Sequence, residues 1–232
     1  GKKRYYFDMD GILQTGTVII DKKTYELDTD GSLKGYTPKK KSSKKKSSDK
    51  SATSDKSGTS TAKKSVALTF DDGPSSFTDR LLDCLEENNA KATFFMVGTE
   101  IASFPDEVKR MKKLGCELGN HTYDHKDLAT LSSDEISSEI ARVDEQLVNL
   151  IGEGASVVRP PYGSVNDTVK STVGTPMILW SIDTLDWKTQ DVESTVEEVM
   201  NNVKDGSIIL MHDIFSTSVD AAEILIPQLI EE

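Results

Sequence analysis

From Ser65 onward, short apolar runs suited to strands alternate with stretches of helical period, and few folds accept that pattern. Val66 to Phe70, Ala92 to Val97, Glu117 to Asn120, Val157-Val158, Met177 to Ser181 and Ser207 to Met211 read as strands. Helical spacing falls at Phe77 to Asn88, Pro105 to Leu114, Asn166 to Val173, Val192 to Val203 and Val219 to Ile230. Ser132 with Glu135 forms a capping box, and Ile136, Ile140, Val143, Leu147 and Leu150 follow it on one helical stripe. Such alternation implies parallel strands wrapped by helices. On pattern alone, about seven strands fit a barrel or an open sheet equally well.

The polar clusters of interest sit just after these runs, which is where β/α folds place their chemistry. The first run stops at Thr69-Phe70-Asp71-Asp72-Gly73-Pro74. Two adjacent carboxylates repel, and a cation or an arginine beside them relieves the repulsion; a helix-capping turn is the plainer alternative. His121-Thr122-Tyr123-Asp124-His125 follows the third run and can present two imidazoles to one cation from a helical turn or tight loop. The metalloprotease pattern would need a glutamate where Thr122 stands, so a proton acceptor must come from elsewhere, and Asp71-Asp72 offers both a third ligand and a base. In Arg159-Pro160-Pro161-Tyr162-Gly163 the prolines fix the backbone, leaving Arg159 to pair with a carboxylate and the Tyr162 N–H free to donate. Asp183-Thr184-Leu185-Asp186-Trp187 adds two acids and an aromatic, and Leu210-Met211-His212-Asp213 brings the last of only three histidines.

These five clusters, in this order, resemble the five motifs of the polysaccharide deacetylases, carbohydrate esterase family 4, over residues 65 to about 230. Within the family the chain looks most similar to bacterial peptidoglycan N-acetylglucosamine deacetylases. The resemblance implies a distorted (β/α) barrel of about seven strands. It further implies that Asp72, His121 and His125 bind one divalent metal ion, usually zinc, with cobalt or another divalent ion as alternatives. Asp71 would be the general base, held ionised and oriented by Arg159. Metal and the Tyr162 N–H would share the oxyanion. His212, its ring fixed by Asp186, would protonate the departing amine, and Trp187 and Leu210 would line the acetyl pocket beside Tyr162. Members of the family normally add one more helix and a final strand after His212, so an open sheet edge is expected here.

The substrate so implied is peptidoglycan. Chitin oligomers and acetylxylan are alternatives, because the motifs address only an acetyl group. A catalytically idle wall-glycan-binding protein is a second class of reading, although none of the expected ligands, base or acid is missing. A serine esterase is disfavoured, since there is no G-x-S-x-G elbow.

The rest of the chain reads differently. Tyr5 to Leu13 is echoed by Thr24 to Leu33 with a 20-residue period from Gly11 to Gly31, each unit running into an Asp-x-Asp-Gly turn. Residues 1–36 thus resemble a fragment of the aromatic-glycine repeats of bacterial cell-wall-binding modules, but without tryptophan, so choline caging is not expected. Residues 37–64 are rich in Lys and Ser and read as a disordered tether, whose lysines are either solvated or hold an anionic wall polymer. Residues 65–232 form the catalytic domain in this reading.

The net charge of −11 divides as 0 over residues 1–35, +8 over 36–64 and −19 over the remainder. A body so acidic repels phosphate backbones, which argues against nucleic acid as a partner. No apolar run approaches the roughly 20 residues that span a bilayer. Gly1 begins in mid-pattern with no signal peptide, so a piece of a longer chain is expected; the resemblance implies a monomer that is extracellular and associated with the bacterial cell wall. Cys84 and Cys116 are expected to be buried free thiols.

Overall fold

The computed structural model describes residues 15–20, 23–29, 34 and 64–231, which belong to two compact units. In the first, β1 (Gly16–Ile20) pairs antiparallel with β2 (Lys23–Leu27), and Thr17 donates to the Glu26 carboxylate across the pair at 2.7 Å. The first Asp-x-Asp-Gly turn, the Asp30-Gly31 half of the second and residues 37–63 of the Lys/Ser-rich segment lie outside the described residues.

The second unit is built on six parallel strands: β3 (Ala67–Asp71), β4 (Thr93–Met96), β5 (Glu117–Asn120), β6 (Val157–Val158), β7 (Ile182–Asp183) and β8 (Ile208–His212). Their order across the sheet is β6-β5-β4-β3-β8-β7. Eight helices accompany them: α1 (Thr78–Glu87), α2 (Gly98–Ile101), α3 (Pro105–Leu114), α4 (Ser133–Ile151), α5 (Asp167–Thr172), α6 (Asp186–Thr189), α7 (Val192–Asn202) and α8 (Ser216–Glu231). Among the described residues, no helix is long and apolar enough to cross a membrane.

Strand side chains alternate, so each strand offers one face to the helices and one to the opposite side. Leu68, Phe70, Phe94, Met96, Ile209 and Met211 enter the main core with Leu81, Leu82 and Leu85 of α1 and Val219, Ala222 and Leu225 of α8. Thr69, Asp71, Phe95 and Leu210 occupy the alternate positions and are also buried, which accounts for strands without a solvated face. Gly119 is required there, because a Cβ would stand 2.5 Å from the Phe95 ring. Cys84 and Cys116 are free and buried, as expected.

The expected strand at Met177 to Ser181 is divided. Met177 makes a single parallel bridge to Val158, and regular pairing resumes only at β7. The carbonyls of Ile178 and Leu179 in between accept from the Arg159 side chain, at 3.0 and 2.9 Å, so a guanidinium takes the place of a neighbouring strand. Residues 176–184 therefore bond to β6 at their start and to β8 at their end, joining the two edge strands of the sheet through one stretch of chain. The last strand, β8, lies between β3 and β7 and is paired on both sides, so the edges of the sheet fall at β6 and β7.

The capping box at the start of α4 is formed: Ser132 Oγ accepts from the Glu135 N–H, and the Glu135 carboxylate accepts from the Ser132 N–H. Ser132→Ala should cost about 1 kcal/mol, which for a unit of this size is roughly 2–4 °C in thermal midpoint. An unchanged midpoint would mean that packing alone fixes the start of this helix.

Candidate active site

Adjacent strand residues point to opposite faces, yet both aspartates of the first cluster approach one imidazole. The backbone explains this. Asp71 ends β3, and Asp72 then takes a left-handed conformation at φ 72°. His121 Nε2 lies 3.6 Å from Asp71 Oδ2 and 3.4 Å from Asp72 Oδ1. The turn continues through a cis Gly73–Pro74 peptide, and a Cβ on Gly73 would fall 2.1 Å from an oxygen of Asp213. Glycine is thus required by close approach. Burial pushes the Asp213 carboxyl up to about 7, although a hydrogen bond from Thr78 opposes this.

The histidine pair occupies a tight loop rather than a helix, with Thr122 at φ 69° and His125 at φ 52°. His121 Nδ1 is 2.6 Å from the Arg159 carbonyl, which can only accept, so Nδ1 carries the proton and Nε2 is left as a lone-pair donor. His125 Nε2 lies 3.2 Å from Asp72 Oδ1. The three ligand atoms of Asp72, His121 and His125 all fall within 4.8 Å of one another. Ligands at zinc distances in a tetrahedral site stand roughly 3.4 Å apart, close to the two Asp72–His separations. Asp72 Oδ1 is also buried with no hydrogen-bond partner among the described residues, as a ligand atom would be. The donor set fits a divalent ion. Burial opposes ionisation of Asp72, but when the His121 and His125 rings are protonated on the nitrogens that face it, their N–H groups and positive charge hold its carboxyl well below the usual carboxylate range.

Arg159 is completely buried. Its guanidinium donates to Asp71 Oδ1 at 2.6 Å and Thr69 Oγ1 at 2.8 Å, and lies 4.0 Å above the Phe95 ring. Burial pulls its pKa down while the Asp71 carboxylate opposes the fall, and an arginine guanidinium stays charged in proteins. Tyr162, at φ 62°, has an exposed side chain whose ring meets the edge of His125 at 4.9 Å.

His212 is the ladder partner of Asp71 across β3 and β8. Buried Asp186 accepts from the His212 backbone N–H with one oxygen and contacts His212 Nδ1 with the other, both at 2.8 Å. Burial lowers the His212 pKa, but the Asp186 carboxylate outweighs it and pushes the value up to about 9. Leu210 is buried, its carbonyl accepting from Thr184, while Trp187 on α6 is about half exposed.

All five clusters named from the sequence therefore stand at the ends of strands of one sheet; the Asp71, Asp72, His121, His125 and Arg159 side chains meet in a connected set, and His212 is next to Asp71 in the strand ladder. Three supporting residues were not singled out: Thr69, which shares the Arg159 guanidinium, Asn120, whose side-chain oxygen accepts from the Thr122 N–H, and Asp213 against Gly73. Each is a polar residue within or next to an apolar run, a position where burial demands a partner.

Comparison with known proteins agrees with this geometry. The polysaccharide deacetylase family pattern matches residues 58–175. The peptidoglycan-N-acetylmuramic acid deacetylase PdaC of Bacillus subtilis is 39% identical over 73% of this chain and 37% of its own length. A peptidoglycan-N-acetylglucosamine deacetylase of Bacillus cereus is 42% identical over 72% of this chain and 64% of its own. The chain thus spans about a third of the first relative and less than two thirds of the second. A solved structure of PdaC matches with a TM-score of 0.71 at 40% identity, covering 72% of this chain and 84% of that one.

The raised His212 pKa has a measurable sign. The folded value lies above the ordinary 6.5, so the Asp186–His212 contact stabilises the fold fully below that pH and the contribution is lost as pH rises through about 9. In the metal-free protein, NMR should find one imidazole titrating near pH 9, returning toward 6.5 in Asp186→Asn. A His212 that titrates near 6.5 in the wild type would show that Asp186 does not govern it.

Proposed function

Since the chain belongs to the polysaccharide deacetylase family, we propose that residues 65–232 form a metal-dependent hydrolase that removes N-acetyl groups from N-acetylglucosamine residues of peptidoglycan, releasing acetate. The observation that carries this reading is the convergence of the Asp72, His121 and His125 ligand atoms within 4.8 Å, with Asp71 and His212 beside them. The names of the relatives support peptidoglycan but give two sugars, N-acetylmuramic acid and N-acetylglucosamine.

Asp72, His121 and His125 would hold the ion, zinc in this reading. When bound, such an ion supplies Lewis acidity that polarises the acetyl carbonyl and makes water more acidic. Asp71 takes a proton from the attacking water through Oδ2, because Oδ1 is committed to Arg159. The Tyr162 N–H donates to the carbonyl oxygen as negative charge develops there. His212, protonated at neutral pH, gives its proton to the sugar nitrogen as the C–N bond breaks, and Asp186 keeps its ring directed at the site. Trp187, Leu210 and Tyr162 would border the acetyl group.

The same reading takes residues 1–36 as a wall-glycan anchor and 37–64 as its tether, in a monomer acting outside the cell at the wall. Its support is the resemblance to wall-binding repeats and a linker with ten lysines against two aspartates over 36–64.

Acetate release from peptidoglycan and from N-acetylglucosamine oligomers should be abolished by a chelator and restored by zinc. Asp72→Ala should lose both zinc and activity. Asp71→Asn should keep zinc and lose turnover by about 10²-fold or more. Equal zinc loss in both variants would overturn the division of roles, and glycan binding without acetate release would favour the idle wall-binding alternative. Release from muramic acid alone would correct the sugar.

A further inference from the structure

The two histidines of the candidate metal site are carried by a loop with no regular structure, whose backbone groups must find partners outside it. The Thr122 N–H donates to Asn120 Oδ1 at 2.8 Å. The N–H groups of Tyr123 and Asp124 both donate to one carboxylate oxygen of Glu139, at 3.0 and 2.8 Å. The carbonyls of Thr122 and Tyr123 accept from the N–H groups of Gly98 and Thr99, at 3.0 and 3.1 Å. Every backbone donor from Thr122 to Asp124 is thus held by a side chain, and two of the three are held by Glu139.

Glu139 lies on α4 and is 3% exposed. Its place is unusual, since it falls at helical spacing between the core residues Ile136 and Val143. A carboxylate there is costly unless fully partnered, and its partners all come from the loop, because the second oxygen accepts from Lys126 Nζ at 2.8 Å. Arg142, one turn further on, lies 3.3 Å above the Tyr123 ring and reaches Asp124 at 3.3 Å. The Thr122 hydroxyl is buried without a partner among the described residues, so it does not share the task. The loop also needs restraint, for it contains two left-handed residues, and His125 follows directly on the Asp124 N–H that Glu139 holds.

We propose that Glu139 is a positioning residue for the metal site. It fixes the backbone of the His121–His125 loop so that both imidazoles meet at Asp72 before any ion arrives. The inference rests on the metal-site reading above, and it assigns to Glu139 control of ion affinity, through groups that do not themselves touch the ion.

The test is zinc affinity of the full metal-free chain, measured by competition with a chromophoric chelator, alongside thermal unfolding of the same samples. Glu139→Ala should weaken zinc binding by about tenfold or more, in the range typical for lost partners of metal ligands. Glu139→Asp keeps the charge but is one methylene too short to reach both N–H groups, and should weaken it in the same direction. Should Glu139→Ala fail to fold, Glu139→Asp decides. Val143→Ala, buried on the same helix, should lower the melting temperature while leaving zinc affinity within about twofold of wild type. Unchanged affinity in the Glu139 variants, or an equal loss in Val143→Ala, overturns the proposal while zinc binding that depends on Asp72 leaves the metal site standing. Absence of zinc binding by the wild type, or its survival in Asp72→Ala, overturns the metal site and this inference together.

Discussion

A fully buried guanidinium paired with a buried carboxylate is the interaction on which the rest of this molecule depends. Desolvating both charges offsets most of their attraction, so the Arg159–Asp71 pair is not a large source of net stability; removing one partner would still cost about 3–5 kcal/mol, because the other would be left buried and alone. Its importance is geometric. Arg159 binds Asp71 and Thr69 of β3 on one side and the carbonyls of Ile178 and Leu179 on the other, so four bonds tie the central strand to the stretch that joins the sheet edges. The same backbone presents its own carbonyl to His121 Nδ1. One residue thereby ties the central strand to the stretch between the sheet edges, orients Asp71 and sets the tautomer of His121.

That economy limits what can be read from sequence. The five polar clusters are legible because each interrupts an apolar run, and apolar runs announce strands. β5 and α3 fall where spacing puts them for the same reason. The break at Ile178-Leu179 is not legible, since the segment is apolar and β-prone and only a distant arginine competes for its carbonyls. Nor is the direction of Asp72: strand alternation sends neighbouring aspartates apart, and only the left-handed backbone brings both to His121. Glu139 is hidden differently. It carries charge at a position where the helical stripe asks for an apolar side chain, a local conflict that can be seen but not interpreted until its two N–H partners are in place.

Backbone strain is concentrated at the candidate site. Asp72, Thr122, His125, Tyr162 and Leu185 are five of the seven described non-glycine residues with positive φ, and each belongs to or adjoins one of the five clusters. Such conformations cost roughly 1–3 kcal/mol apiece and persist only when their surroundings over-determine them. The surroundings here are the long, buried strands β3, β4, β5 and β8, while β6 and β7 have only two residues each. Regular pairing is given up next to Arg159 and Asp186, whose side chains then take over bonds that a ladder would have made.

The placement of Asp71 and His212 follows from the same ladder. Asp71 and His212 are direct backbone partners across β3 and β8, where an unpartnered carboxylate and imidazolium would attract each other. Each is instead committed to a buried partner of opposite charge on its far side, Arg159 for Asp71 and Asp186 for His212. Asp71 keeps one oxygen and His212 keeps Nε2 for whatever lies between them. Two ion pairs on neighbouring strands thus keep Asp71 and His212 at a spacing fixed by a β-sheet, and in the proposed reaction that spacing would hold proton acceptor and donor apart as two free residues in a solvated cleft would not.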